Sequence, residues 1–402
     1  MKSAWPSPLV RNFLGCLLPV GRLLVVFVLL ATPIGVVAQS LLAAEGLGLP
    51  VESLDARSRA LGGVGLGLTG SYLLDRDPAA GAGLSIAAAT ATLQSSTTTL
   101  TAGGTVGYTR FPVLAISYPY RGSVFSVRMG SFLDQEWEGK STQTLEVGGD
   151  DVGLEDVFTS TGSVGQVSLG WARTILESAA VGVTLGSYVG TMERVFTRAL
   201  DPEDVGIDVQ HFEAGGRLRA SGVIVGAGMT WDPWPLLHVS NSISWSDDLS
   251  FSPTGKESGE KGSYRIPLEL RGGGTVTLTS WLALHFGLTF ADWSDTGADL
   301  KEGMTRGGTW SYGGGLEWSG ITLLGRPIPI RLGARHRDLP FYSDGTPASE
   351  RTLSGGIGLN LVDVGDQPLA RIEMGIEQGN REAGAVSEDL LRMVVTVRIS
   401  SG

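Results

Sequence analysis

Along Ser178–Gly190, the large apolar residues Val181, Val183, Leu185 and Val189 alternate with Ala180, Gly182, Thr184 and Gly186. A period of two is that of a β-strand with one apolar face. The same figure recurs down the chain. In 281–291, Leu282, Leu284, Phe286, Leu288 and Phe290 oppose Ala283, His285, Gly287 and Thr289. In 369–377, Ala370, Ile372, Met374 and Ile376 oppose Arg371, Glu373, Gly375 and Glu377. In 391–400, Leu391, Met393, Val395, Val397 and Ile399 oppose Arg392, Thr396, Arg398 and Ser400. Fourteen strands are predicted, at about 84–94, 104–119, 123–136, 158–172, 178–194, 213–231, 236–250, 262–277, 280–294, 306–319, 327–340, 350–363, 366–379 and 387–400.

The connections sort by length. Short ones fall at Arg121-Gly122, 174–177, 232–235, Thr279, 319–326 and 364–365. Long polar ones fall at 137–157, 195–212, 251–261, 295–305, 341–349 and 380–386, with 95–103 a weaker first member. Strict alternation of short turns and long loops, with an even strand number, belongs to outer-membrane barrels. A soluble sandwich also has many short strands but no cause to sort its loops. The expected fold is all-β: a transmembrane antiparallel up-and-down β-barrel of about fourteen strands, residues 84–402. Trp171, Trp231, Trp234, Trp281 and Trp318, with Tyr118 and Tyr120, fall near short turns, and Trp245, Trp293 and Trp310 toward the opposite strand ends. Two aromatic girdles would produce that distribution.

Residues 1–38 read as a secretory signal, with Lys2, Arg11 and Arg22 around the apolar run Leu23–Ala31 and Val36-Val37-Ala38 before the cleavage point. Its removal would take the formal charge of the 402-residue chain from −11 to −14 and remove Cys16, the only cysteine. The remainder then has no disulfide and no thiol chemistry. Its acidity argues against a nucleic-acid partner. Export to the outer membrane of a Gram-negative-type bacterium follows, with lipid and a hydrophobic small molecule as expected partners and a monomeric state.

Residues 39–83 do not alternate. They contain Ala56-Arg57-Ser58-Arg59-Ala60-Leu61-Gly62-Gly63-Val64-Gly65 and, further on, Asp75-Arg76-Asp77-Pro78-Ala79-Ala80-Gly81. Glycine allows close approach of backbone to a surrounding wall. The segment is expected to plug the barrel as a hatch, with Arg57, Gly62, Gly63, Gly65, Asp75, Asp77 and Pro78 as its characteristic residues; a first strand plus linker is the alternative. This stretch resembles the N-terminal signature of the FadL-like outer-membrane transport family, in which an Ala-Arg and Gly-rich run leads to an Asn-Pro-Ala-Gly turn. Gly165–Gly170, Gly182–Gly190, Tyr264–Leu270, Asp292-Trp293-Ser294 and Ile330–Gly333 leading to Asp338–Phe341 are similar to strand phrases of FadL-like and PorV-like barrels. Asp77 stands where that family usually carries Asn. The resemblance implies a plugged fourteen-stranded barrel that passes hydrophobic or amphipathic, fatty-acid-like molecules without a cofactor.

Arginine or lysine on the lipid face near the bilayer midplane costs roughly 2–4 kcal/mol. Placing Ile328, Ile330, Leu332 and Ala334 toward lipid turns Arg331, Arg335 and Arg337 inward. The same argument turns Glu317 inward, as well as Arg371, Glu373 and Glu377, and Arg265, Glu269 and Arg271. These charges either pair with one another across strands or contact a ligand or the hatch. The 331/335/337 row has more cations than Glu317 can pair, so it is the first candidate for a ligand or for Asp75 and Asp77.

Signals for catalysis and metal are weaker. His211, His238, His285 and His336 lack metal-ligand spacing. His238 with Ser240 and Ser242 offers a Ser/His pair without an orienting third group. The acidic loop around Asp150, Asp151, Glu155 and Asp156 does not fit a twelve-residue calcium loop. No metal, cofactor or catalytic residue is expected. Rival readings are a PorV-like secretion-associated or structural barrel and a polar diffusion pore.

Overall fold

The computed structural model describes residues 47–401 apart from 71–73, 75, 101–103, 148–149, 201–211, 255–260, 301–306, 324, 344 and 365–366. The proposed signal sequence and Asp75 lie outside the described residues.

Fourteen strands run antiparallel in chain order. They are β1 (Ala88–Leu100), β2 (Thr105–Tyr120), β3 (Ser123–Asp134, resuming as Trp137–Val147), β4 (Asp150–Leu176), β5 (Ala179–Leu200), β6 (Phe212–Ser221 and Val223–Trp234) and β7 (Leu237–Ser246 and Leu249–Pro253). The second half holds β8 (Gly262–Tyr264 and Glu269–Thr279), β9 (Leu282–Asp292), β10 (Gly308–Leu323), β11 (Arg326–Ser343), β12 (Thr346–Val364), β13 (Gln367–Ala383) and β14 (Val386–Ser400). Each pairs with its neighbours, and β14 pairs with β1 from Glu388 opposite Leu100 to Ser400 opposite Ala88. The sheet therefore closes into a barrel. Closure leaves no unpaired edge within the bilayer, the condition for a strand protein to sit in lipid.

The faces follow the alternation. Leu169, Leu185, Ile116, Leu332 and Leu353 point outward, the last at 70% exposure. No soluble protein would leave such a continuous apolar face in water; a barrel in a bilayer requires it. Tyr118, Tyr120, Trp231, Trp234, Trp281 and Trp318 are exposed toward the short-turn end, Trp245 and Trp310 toward the other. Trp293 corrects the girdle expectation. It is buried and packs inward with Leu47, Leu133, Tyr188, Met192 and Leu249, because the chain leaves β9 at Asp292 and turns over the rim into helix α2 (Ser294–Asp299).

Several long loops are instead continued strands. Residues 137–147 pair with 150–160, β11 and β12 pair on to Ser343 and Thr346, and β13 and β14 meet at Ala383 and Val386. Above the hydrocarbon layer a strand needs its ladder but no apolar face, so polar strand and polar loop read alike in sequence. The first strand also lies further on than 84–94, at Ala88–Leu100, where Ala, Ser and Thr occupy both faces.

The described residues of 47–82 pack against the inward face of the wall. Leu49-Pro50 pairs with β3 at Asp134 and Leu133, and helix α1 (Ala56–Ala60) packs against β11 to β14. Asp55 caps α1 by accepting the N–H of Ser58 at 2.7 Å, while the N–H of Ala56 is taken by Thr396 Oγ1 of β14 at 2.8 Å. Both bonds satisfy orphan donors at the helix start.

Candidate functional site

Two interactions hold the inner segment to the wall. The first is close backbone contact against glycine. Gly62 and Gly63 have φ of 73° and 74°, a left-handed turn open to glycine, and the turn rests on Gly313, Gly315 and Gly333 of β10 and β11. A Cβ on Gly315 would stand 2.8 Å from Leu61 Cα, and one on Gly273 would stand 2.7 Å from Leu66 O. Gly182, in the stretch whose alternation set the strand pattern, faces the Pro78 backbone.

The second is a buried charge network. Arg57 reaches Glu317 with Nε and Nη2, both at 2.9 Å. Glu317 also takes Arg331 Nε at 2.6 Å, and Arg331 Nη2 reaches Glu373 at 2.9 Å. Arg371 adds a contact to Glu373 at 3.0 Å. Arg59 meets Glu377 at 3.2 Å, and Glu377 takes Arg392 at 2.6 Å. Glu350 accepts both Arg381 and Arg392 at 2.7 Å, and Arg381 continues to Glu388 at 2.7 Å. Arg335 pairs with Glu52 of the inner segment and with Ser311 Oγ at 2.8 Å. Charges so far from water are tolerated only where each is met by an opposite charge with good geometry. On the β10–β14 side the lumen is filled in that way.

Most inward-facing charges expected from sequence are inward, but not all. Arg265 is the correction: half exposed, it meets Asp299 and Asp295 of α2 at 3.3 and 3.6 Å. The β8 ladder stops over 265–268, where Pro267 has no N–H to give, so Arg265 is released from the wall and caught by the rim helix. Glu269 and Arg271, below the break, pair at 2.6 Å. Asp77 corrects a second expectation. Its carboxylate accepts Ser240 Oγ at 2.7 Å and the N–H groups of Ala79 and Gly67 at 3.1 and 3.3 Å. The acidic partner of Arg335 is instead Glu52. His238 and Ser240 do not act together, since His238 Nδ1 contacts Asp232 at 2.6 Å while Ser240 is held by Asp77. Gly65 packs on Leu54 and Arg76, and Pro78 sits against Gly182 and Gly228.

Glu52, Arg59, Arg76, Glu350, Arg381 and Glu388 escaped the sequence reading. The first three lie in the segment without periodicity. The others lie in or beside stretches read as loops. The shared parity of Glu350 with Thr352 and Ser354, and of Glu388 with Arg392 and Thr396, was the available signal.

A cavity remains between the inner segment and the rim on the β3–β11 side, with about 120 Å³ open to the centre of a water molecule, room for roughly ten waters. Phe132, Tyr188, Ile224, Ile243 and Ile266 face it, as do Glu52, Arg76, Glu269, Arg271 and Arg337. Tyr188 and Trp293 of its lining also belong to the apolar cluster of Leu47, Met192, Leu218 and Phe251. Phe158 and Phe196 meet tilted with ring centres 4.6 Å apart, and Phe196 and Phe212 meet edge to face at 6.3 Å.

No family sequence model matches the chain, and no curated protein sequence does. Solved structures do. The Ralstonia pickettii toluene transporter TbuX superposes with TM-score 0.59 at 15% identity over 87% of this chain and 99% of its own. A Pseudomonas aeruginosa FadL homologue gives 0.59 at 12% identity, covering 88% and 100%. The CymD monoaromatic hydrocarbon channel gives 0.57 at 15% identity, covering 86% and 97%. At these identities the likeness is one of fold.

Proposed function

We propose that the chain is an outer-membrane channel for hydrophobic or amphipathic small molecules, with residues 39–83 as its hatch. The single observation that carries this reading is the division of the lumen. Buried ion pairs fix the inner segment on the β10–β14 side, glycine contacts hold it on both sides, and a cavity bordered by Tyr188 and Trp293 of the apolar cluster remains between that segment and the wall from β3 round to β11. A polar diffusion pore needs a continuous aqueous lumen, which this packing does not favour. The names of the structural neighbours, toluene transporters and a monoaromatic hydrocarbon channel, agree with the proposal.

In the proposed mechanism the ligand is taken up at the rim aromatics, passes the apolar cluster and rests in the cavity. It leaves when the hatch shifts against the wall. The orientation that places the strand extensions outside the cell puts both barrel ends, Ala88 and Ser400, at the periplasm. The test is uptake of radiolabelled toluene and octanoate by bacteria whose own hydrophobic-compound channel has been deleted. Expression of this chain is expected to restore uptake of at least one of them. Unchanged uptake of both, with folded protein in the outer membrane, would refute the reading.

A further inference from the structure

From β4 to β7 the cavity wall carries no charge, but it does carry hydrogen-bonding groups. Gln166 and Ser168 of β4, Thr184 of β5 and Ser244 of β7 line it. Among the described residues none of these four side chains makes a hydrogen bond within the protein. The strand register sets them side by side. Thr184 lies opposite Gly226 of β6, which lies opposite Ser244. In the adjacent row Ser168 lies opposite Gly186, which lies opposite Ile224. Both glycines also line the cavity, and the recess between the hydroxyls exists because Gly226 has no side chain: an added Cβ would stand 2.5 Å from Thr184 Oγ1. Pro78 of the inner segment closes the recess, its Cγ 3.9 Å from that same added Cβ. The charges of the cavity stand elsewhere. Glu269 and Arg271 are paired on β8, Glu52 is paired with Arg76 and Arg335, and Arg337 is on β11.

We propose that this uncharged arc binds the hydroxyl group of a neutral small molecule, with Thr184 and Ser244 as its hydrogen-bond partners and the apolar body of the molecule against Pro78 and Ile224. The assignment rests on the uptake reading above and narrows its substrate class from bare hydrocarbons to neutral hydroxylated compounds, of which phenols and aromatic alcohols are the simplest. A serine or threonine hydroxyl both donates and accepts, so it matches another hydroxyl in either direction. A carboxylate only accepts, and a hydrocarbon does neither. A hydrocarbon in the recess would take these side chains out of water and return no bond, and a site built around a hydroxyl discriminates strongly against an analogue that lacks one. Space for roughly ten waters holds one substituted aromatic ring and little more.

The experiment uses the full chain in phosphatidylcholine nanodiscs at pH 7, titrated calorimetrically with p-cresol, toluene and 4-methylbenzoate against empty nanodiscs. The three probes share a tolyl ring and differ in the group opposite its methyl: a neutral hydroxyl, nothing, or a carboxylate. Wild type is expected to bind p-cresol at least tenfold more tightly than either of the others. Thr184→Val/Ser244→Ala is expected to weaken p-cresol at least tenfold and move toluene less than twofold. Thr184→Ser, which keeps the hydroxyl, is expected to stay within threefold of wild type for p-cresol, and Ser187→Ala, on the outward face of β5, to leave all three probes unchanged. Should the double variant not fold, Thr184→Val alone replaces it, with a several-fold loss of p-cresol expected. Equal effects on p-cresol and toluene, or none, would overturn the hydroxyl assignment. Wild type that prefers toluene or 4-methylbenzoate also overturns it but leaves the uptake reading standing. Wild type that binds none of the three overturns the assignment as well, and the uptake reading is then decided by the toluene and octanoate assay.

Discussion

Arg57 and Glu317 meet through two bonds of 2.9 Å across 260 positions of chain, and the pair is almost closed to solvent. One belongs to the segment inside the barrel, the other to strand β10 of its wall. Glu317 also serves Arg331, so its loss takes a carboxylate from two buried cations, of which Arg331 keeps Glu373. Removing one partner of such a pair costs about 3–5 kcal/mol, while an apolar replacement of both can be near neutral. Glu317→Gln is therefore expected to loosen the inner segment. Limited proteolysis of the folded protein should show faster cleavage near residues 52–70, and the double variant Arg57→Met/Glu317→Leu should recover much of the protection.

The wall glycines make a steric prediction. Gly333 faces the Gly62 N–H and Gly315 faces Leu61 Cα at 2.8 Å from an added Cβ, whereas an added Cβ on Gly355 meets only ordinary contacts at 3.5 and 3.6 Å. Gly333→Ala should displace the inner segment and raise the conductance of the protein in planar bilayers. Gly355→Ala should leave it at the wild-type level.

Leu332 projects outward at 65% exposure from mid-β11. Leu332→Arg should cost about 2–4 kcal/mol if that position lies near the bilayer midplane, read as a lower folded fraction on refolding into liposomes. Its neighbour Arg331 carries its charge at no such cost, because it points the other way.

The rim clamp carries a pH dependence. Asp299 accepts the backbone N–H of Arg265 at 2.9 Å and then its guanidinium at 3.3 Å, and these bonds hold its carboxyl below the usual carboxylate range. A depressed pKa in the folded state stabilises the clamp above the unfolded value, about 3.9, and that contribution fades as pH falls through the folded value. Hydrogen exchange at 262–268 should be slow at pH 7, remain slow near pH 5 and quicken only below about pH 4. Asp299→Asn should show the fast regime at neutral pH.

Sequence made the barrel legible because lipid imposes a strict rule: every second residue of Leu282–Phe290 or Leu391–Ile399 must be apolar. The rule lapses above the bilayer, so the polar ladder of Trp137–Val147 passed for a loop. It is silent inside the barrel too. Whether Arg335 would meet Asp77 or Glu52 depends on where a non-periodic segment lies in three dimensions, and no spacing along the chain encodes that. Trp293 and Arg265 were misplaced for a related reason: each sits where a strand stops, and parity no longer fixes the direction of a side chain.

The central claim is that molecules pass when the inner segment moves against the wall. An added Cβ on Gly375 of β13 lies 3.7 Å from Ala60 Cβ of α1, the separation a disulfide needs, and residues 47–402 contain no native cysteine. In the variant Ala60→Cys/Gly375→Cys, oxidation should lower uptake of the transported probe at least tenfold, and dithiothreitol should restore it. Uptake at the reduced rate by protein whose disulfide is verified by mass spectrometry would contradict the account.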